Sequence, residues 1–173
     1  VGANDHATAK RTLERVDGTK LSSSLHTKHA QCLATVCLEL GDLERADEVL
    51  AAVVDPEDDP LTTRWLRVTR ALLFAVQGGT ERALALVSEA EAHTDERADD
   101  EDEPAFLASY EVVRAHVHAC VGEDARARDA LERARELAGV VALTRAIRPV
   151  GPATEIARTL LARDLARMRG TSG

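Results

Sequence analysis

Residues 23–55, SSLHTKHAQCLATVCLELGDLERADEVLAAVVD, decide the fold of this chain. The stretch contains two segments with helical periodicity, and they meet at Gly41. In the second segment, Ala46, Leu50 and Val53 stand at i, i+4 and i+7, which places them on one face of a helix. The stretch therefore predicts two helices joined at the glycine.

The second helix of this pair has three counterparts elsewhere in the chain. Each begins its apolar face with an alanine, and a small residue there allows two helix backbones to approach closely. The four alanines are separated by 37, 37 and 44 residues. Helix pairs repeated at this period are typical of an α-solenoid. The counterparts are Ala9, Leu13 and Val16, then Ala83, Val87 and Ala90, and finally Ala127, Leu131 and Ala134.

The first helix of each pair has a start signal 18 residues before a terminal glycine. A serine caps free backbone N–H groups, and a proline suits the first helical turn because its missing N–H is not needed there. The start and end residues are Ser23 and Gly41, Pro60 and Gly78, and Pro104 and Gly122. Pro152 and Gly170 repeat the interval, which predicts one more first-type helix near the end of the chain.

The segment GDLERADEVLAAVVDP, residues 41–56, resembles the second half of a tetratricopeptide repeat. GGTERALALVSEA, residues 78–90, and GEDARARDALERA, residues 122–134, are similar to it. The resemblance implies a right-handed α-solenoid of antiparallel helix pairs. Because the units are longer than the usual 34 residues, they also resemble the helical-repeat regions of large bacterial signalling ATPases and transcription regulators.

We therefore expect an all-α fold with about eight helices and essentially no sheet. The whole chain, residues 1–173, is predicted to form one helical-repeat domain. It consists of a half unit at 5–17, full units at 23–54, 60–93 and 104–138, and a capping helix at 152–169. The chain starts with Val1 and a half unit, so we expect a segment of a longer protein.

Composition excludes several classes of protein. Aromatic residues are only 2% of the chain, so the core must be aliphatic, and the three cysteines lack the pairing of a disulfide framework. A signal peptide and a membrane-spanning apolar run are both missing, so the expected location is the cytoplasm. Arginine is common and lysine and isoleucine are rare, which indicates a high-GC, bacterial genome.

No motif in the sequence predicts catalysis or a cofactor. His26, His29 and Cys32 have spacing for two metal ligands at most, and surface histidines beside a half-buried cysteine are the favoured interpretation. The acidic segment 94–103 lacks the glycine of a calcium loop and is predicted to be a solvated loop. Residues 126–173 hold ten arginines against five acids, an excess that is too small and too well compensated to predict nucleic-acid binding.

An interaction surface is the remaining candidate. In tetratricopeptide-like arrays, the first-type helices line a concave groove, and the resemblance carries this role to matching positions counted back from each glycine. These positions are Lys28, Gln31, Thr35 and Leu38 in the first helix pair, Trp65, Val68, Leu72 and Val76 in the second pair, and Ser109, Val112, His116 and Ala119 in the third pair. For Trp65, a place in the core and a place in the groove are equally favoured.

The sequence thus predicts a non-enzymatic protein-interaction module, one segment of a larger bacterial regulatory or scaffold protein. A protein or peptide is expected in the groove, with self-association or cover by the chain's own last helix as alternatives. A small-molecule or peptide-sensing domain of a transcription regulator is the alternative function. No membrane association, metal or cofactor is predicted.

Overall fold

The computed structural model describes residues 3–54, 59–92, 104–139, 142 and 153–170. Across this part of the chain, 84% of residues are helical and no strand occurs, which confirms the all-α class. The eight helices are α1 (Ala3–Glu14), α2 (Ser23–Glu39), α3 (Leu43–Ala51), α4 (Pro60–Val76), α5 (Thr80–Ala92), α6 (Pro104–Cys120), α7 (Asp124–Ala138) and α8 (Thr154–Gly170).

Helix boundaries agree with the sequence-based expectation to within three residues. The largest differences, three residues each, are at the end of α3, which stops at Ala51, and at the end of α1, which stops at Glu14 and is followed by a 3-10 turn at Gly18–Lys20. Val16, predicted to belong to the apolar face of this helix, lies beyond its end and is exposed. The predicted loop at 94–103 lies outside the described residues, and between residues 140 and 152 the structure describes Ala142 alone, which is buried.

Three of the inter-helix turns are built in the same way. Gly41, Gly78 and Gly122 have φ values of 73°, 84° and 81°, a region that residues with a Cβ rarely adopt. At the first turn, the Gly41 N–H donates to the Leu38 carbonyl at 3.0 Å, and the Asp42 N–H donates to the Cys37 carbonyl at 2.9 Å. The same two bonds recur at the other two glycines, and together they form a Schellman motif.

Side-chain caps start two of the helices that follow loops or turns. Asp42 accepts a bond from the Arg45 N–H at 3.3 Å, and Asp59 accepts from the Thr62 N–H at 2.9 Å. The serine prediction at α2 needs a correction, since Ser23 is the first helical residue and not the cap. Ser22 holds the cap position, but its side chain makes no capping hydrogen bond.

The chain divides into two compact units, residues 1–95 and residues 96–173. In the first unit, α2, α3 and α4 share one aliphatic core that includes Leu33, Leu50 and Leu66. Arg70 of α4 reaches the end of α3, where its guanidinium donates to the carbonyls of Leu50 and Val53. The Leu50 carbonyl also accepts from the Val53 N–H at 3.4 Å, so Arg70 adds a charged donor at the end of α3, where carbonyls lose their regular helical partners.

The second unit has its own core, formed by α6, α7 and α8. It is rich in small side chains, with Leu131 and Leu160 as its larger buried members. Across α7 and α8, Arg135 donates to both carboxylate oxygens of Asp164 at 2.9 and 3.1 Å, and Arg163 donates to Glu132 at 2.9 Å. Charge pairs therefore reinforce the contact of the last helix with this unit.

Small residues occupy equivalent buried positions in all three helix pairs. The alanines are completely inaccessible to solvent in each pair, which allows close packing of the two helices. They are Ala34 and Ala46, Ala71 and Ala83, and Ala115 and Ala127. The extension to one right-handed array over residues 1–173 stays a prediction.

Ala83→Leu tests the close approach at one of these positions. Ala83 is 0% exposed, so three added carbons must force α5 away from its neighbours. We expect the free energy of unfolding to fall by about 1–3 kcal/mol in urea titrations. Ala85→Leu, on the exposed side of the same helix, is the control and is expected to change stability little. Equal urea midpoints for the two variants would show that the repeat alignment is wrong.

Candidate functional site

The predicted groove positions fall into an open row and a buried row. Relative to each glycine, the positions 13 and 6 residues earlier are exposed or partly buried, and they are occupied by Lys28 and Thr35, Trp65 and Leu72, and Ser109 and His116. The position ten residues earlier is buried in every pair, and it is occupied by Gln31, Val68 and Val112. Of these three positions in each helix, only the two in the open row present side chains at a surface.

The last predicted position of each helix differs between pairs. Leu38 is buried, Ala119 is partly buried, and Val76 is 40% exposed. Val76 lies one residue beyond the register of the other two, and the residue in register, Ala75, is buried. This shift places Val76 on the same side of α4 as the open row.

In the first unit, both open-row residues of α4 are apolar, and Val76 extends the same side of the helix. Trp65, Leu72 and Val76 stand at i, i+7 and i+11, which confines them to about 40° of the helix circumference. We call these three residues the α4 stripe. Leu72 also packs against the core of the unit, so its side chain is only partly open to solvent.

Polar groups of α2 occupy the matching positions next to the α4 stripe. The two helices pack on each other, since Leu66 and Leu73 of α4 share a core with Leu38 of α2. The Lys28 ammonium lies 3.6 Å from a carboxylate oxygen of Asp59, an exposed ion pair at the start of α4. At the matching positions, the open row is thus apolar on α4, at Trp65 and Leu72, and polar on α2, at Lys28 and Thr35.

Gln31 is the unusual member of the buried row. Its side chain is 0% exposed, and among the described residues neither its amide nitrogen nor its amide oxygen has a hydrogen-bond partner. Val68 and Val112 fill the equivalent positions in the other pairs without this penalty. An unpaired buried amide costs about 1–3 kcal/mol, so Gln31 weakens the packing of its own pair.

In the second unit, His116 is one of the two residues of the open row. Its Nδ1 atom is buried and has no hydrogen-bond partner in the part of the unit that the structure describes. Burial lowers the pKa of His116 from 6.5 to about 4, because the charged imidazolium loses its hydration. The ring is therefore neutral at physiological pH and contributes an uncharged surface beside Ser109.

Other histidines have structural contacts. His29 Nε2 lies 2.8 Å from the Leu13 carbonyl, and His118 Nδ1 lies 2.8 Å from a carboxylate oxygen of Glu123. His26 packs beside Gly18, and Cys32 is exposed. Within the described ranges, no group of three or more His, Cys, Asp or Glu side chains has a metal-binding arrangement.

A buried charge pair in α6 was missed by the sequence analysis. Glu111 and Arg114 are each 8% exposed, and their side chains lie 2.8 Å apart. The signal was present as opposite charges at i and i+3 in an otherwise apolar helix. Opposite charges at this spacing are usual on solvent-facing helix surfaces, and periodicity alone does not reveal which pairs are buried.

Comparisons with known proteins found no relative of this chain. No protein family model matches the chain, and neither a curated protein nor a solved structure shows significant similarity to it. The helices pack in neighbouring pairs, which is compatible with a helical repeat, whereas the resemblance to tetratricopeptide repeats depends on the sequence alone. Among the described helices, none has the length and apolar character needed to cross a bilayer.

The buried imidazole predicts acid sensitivity of the second unit. The folded-state pKa of His116, about 4, lies below the value of 6.5 that it regains on unfolding, so the unfolded chain binds the proton more readily. The free energy of unfolding is therefore not reduced by His116 above pH 6.5. It falls as the pH drops from 6.5 toward 4, by at most about 3 kcal/mol. Urea unfolding between pH 7.5 and 4.5 measures this loss.

His116→Leu should flatten that pH profile, because leucine does not bind a proton. Leucine was chosen because it stands at the equivalent position 72 in the preceding helix pair. His26→Gln, which changes a histidine at the turn near Gly18, serves as the control and should keep the slope contributed by His116. Parallel profiles for the original chain and His116→Leu would contradict the burial argument.

Proposed function

We propose that the chain is a non-enzymatic protein-interaction module with tetratricopeptide-like helix pairs. In this proposal it belongs to a larger bacterial regulatory or scaffold protein that acts in the cytoplasm. The first-type helices supply the binding surface, and the ligand is a segment of another protein. The resemblance of residues 41–56, 78–90 and 122–134 to that repeat family supports the proposal.

The observation that carries the proposal is the α4 stripe. Three hydrophobic side chains share one face of α4 and stay partly open, although the same helix has other faces that are completely buried. Leaving apolar area in water costs about 25 cal/mol per Å². Hydrophobic surface concentrated in one place often marks a binding site.

The chemistry of this surface favours a helical peptide. An amphipathic helix binds an apolar surface through anchors at i, i+4 and i+7, and aromatic residues such as Trp65 often provide the central contact. Lys28 and Thr35 on α2 provide a polar rim, and Lys28 favours an acidic residue beside the apolar anchors. A second copy of this chain and its own last helix are the competing occupants.

The test introduces one charge into the α4 stripe. Val76→Asp changes a residue that is 40% exposed, so we expect the helix content and the unfolding midpoint to stay close to the original. Partners recovered by the original chain from its host's extract, and identified by quantitative mass spectrometry, should be lost by more than about tenfold. Leu72→Asp is a second, more severe variant at the centre of the stripe.

Val54→Asp is the matched control, because Val54 is a valine with 85% exposure that lies just beyond α3 and is not part of α4. It should keep the partner. If Val76→Asp and Val54→Asp bind alike, the stripe is not the binding surface. If Leu72→Asp unfolds while Val76→Asp still binds, Leu72 belongs only to the core. Stabilisation by a small molecule, with no protein recovered, would favour the alternative of a sensing domain.

A further inference from the structure

Two histidine rings border one glycine where the 3-10 turn Gly18–Lys20 packs against the start of α2. His26 and His29 stand at i and i+3 in α2, about 60° apart around the helix. A Cβ atom added to Gly18 would lie 3.2 Å from His26 Nε2 and 3.8 Å from His29 Nδ1. One nitrogen atom of each ring therefore borders the same small space, which the missing side chain of Gly18 leaves open.

The hydrogen bond of His29 decides which of its ring nitrogens can bind a ligand. His29 Nε2 lies 2.8 Å from the Leu13 carbonyl, and because a carbonyl oxygen only accepts, Nε2 carries the proton. In the neutral ring, Nδ1 then keeps its lone pair beside Gly18. Metal-ligating histidines in proteins are oriented in the same way, since their other ring nitrogen usually donates to a carbonyl or a carboxylate.

The exposure and the chemistry of the two rings suit a transition-metal ion. Both rings are partly exposed, so an ion from solution can reach them. Imidazole nitrogen binds Zn²⁺, Ni²⁺ and Cu²⁺ well, whereas Mg²⁺ and Ca²⁺ prefer oxygen ligands. Within the described residues, no third His, Cys, Asp or Glu side chain completes a metal-binding group, so water would fill the remaining coordination positions.

We propose that His26 Nε2 and His29 Nδ1 form a two-histidine binding site for one divalent transition-metal ion. The site lies about 140° around α2 from Lys28 and Thr35, so it is separate from the proposed binding groove. A bound ion would tie the first two turns of α2 together. The sequence alone favoured surface histidines without a metal, and the shared space at Gly18 and the orienting carbonyl are what the structure adds.

Calorimetric titration of the full, untagged chain with NiCl₂ tests the site. We expect one equivalent of Ni²⁺ to bind, and MgCl₂ at the same concentration to give no heat of binding. His26→Gln and His29→Gln each remove one ligand and should weaken Ni²⁺ binding at least about tenfold, since even the loss of an outer-shell partner costs about 10- to 100-fold in affinity. His118→Gln changes a histidine that contacts Glu123 in the second unit, and this control should bind like the original chain.

Gly18→Ala tests the geometry of the site with both histidines in place. The φ angle of Gly18 is not in the left-handed region, so alanine can adopt this backbone conformation. Its Cβ atom would lie 2.9 Å from His26 Cδ2, so the ring must move away from the shared space. We expect the Ni²⁺ affinity to fall by about tenfold, as for a lost outer-shell contact, while circular dichroism shows an unchanged helix content.

Loss of Ni²⁺ binding by folded His26→Gln and His29→Gln supports the site. If His29→Gln unfolds because its bond to the Leu13 carbonyl is lost, His26→Gln and Gly18→Ala decide the question, since both leave that bond in place. The proposal is overturned if the original chain does not bind Ni²⁺, or if His26→Gln or Gly18→Ala binds it as tightly as the control. It is also overturned if Cys32→Ser abolishes binding that His26→Gln keeps, because the exposed thiol would then be the ligand.

Discussion

The structure depends on one backbone constraint, the left-handed glycine that ends the first helix of each pair. At Gly41, Gly78 and Gly122, two hydrogen bonds close the helix and turn the chain within two residues. The next helix starts at once, so the pair packs antiparallel over a short connection. A residue with a Cβ at this position would strain the backbone even though space is free around each glycine.

The fixed turn also explains why burial repeats along the chain. Once the turn sets the register, positions at equal distance from each glycine meet equivalent neighbours. The alanines at 34, 71 and 115 are all buried, while the positions one residue further on, Thr35, Leu72 and His116, stay partly open. The proposed binding surface is therefore a consequence of the turn. Its chemistry varies between the pairs, because these open positions hold a polar, an apolar and a titratable side chain in turn.

Local signals allowed most of the fold to be predicted, whereas contacts between distant residues did not follow from the sequence. Glycine and proline mark helix ends through backbone geometry, so the boundaries agreed closely. The burial of Gln31 was not evident, because a polar residue at a groove-like offset favours an open site. The contact between Lys10 and Asp42 was also missed, since the two residues are 32 positions apart and no periodicity connects them.

Replacing the three glycines one at a time by alanine tests the central claim most directly. Because an added Cβ would meet no atom within 4 Å at any of them, the stability change isolates the backbone conformation. The account predicts that Gly41→Ala, Gly78→Ala and Gly122→Ala each lower the free energy of unfolding by about 1–2 kcal/mol. Gln77→Ala, at the preceding residue, should have little effect. Stabilities unchanged by all three glycine replacements would contradict the account.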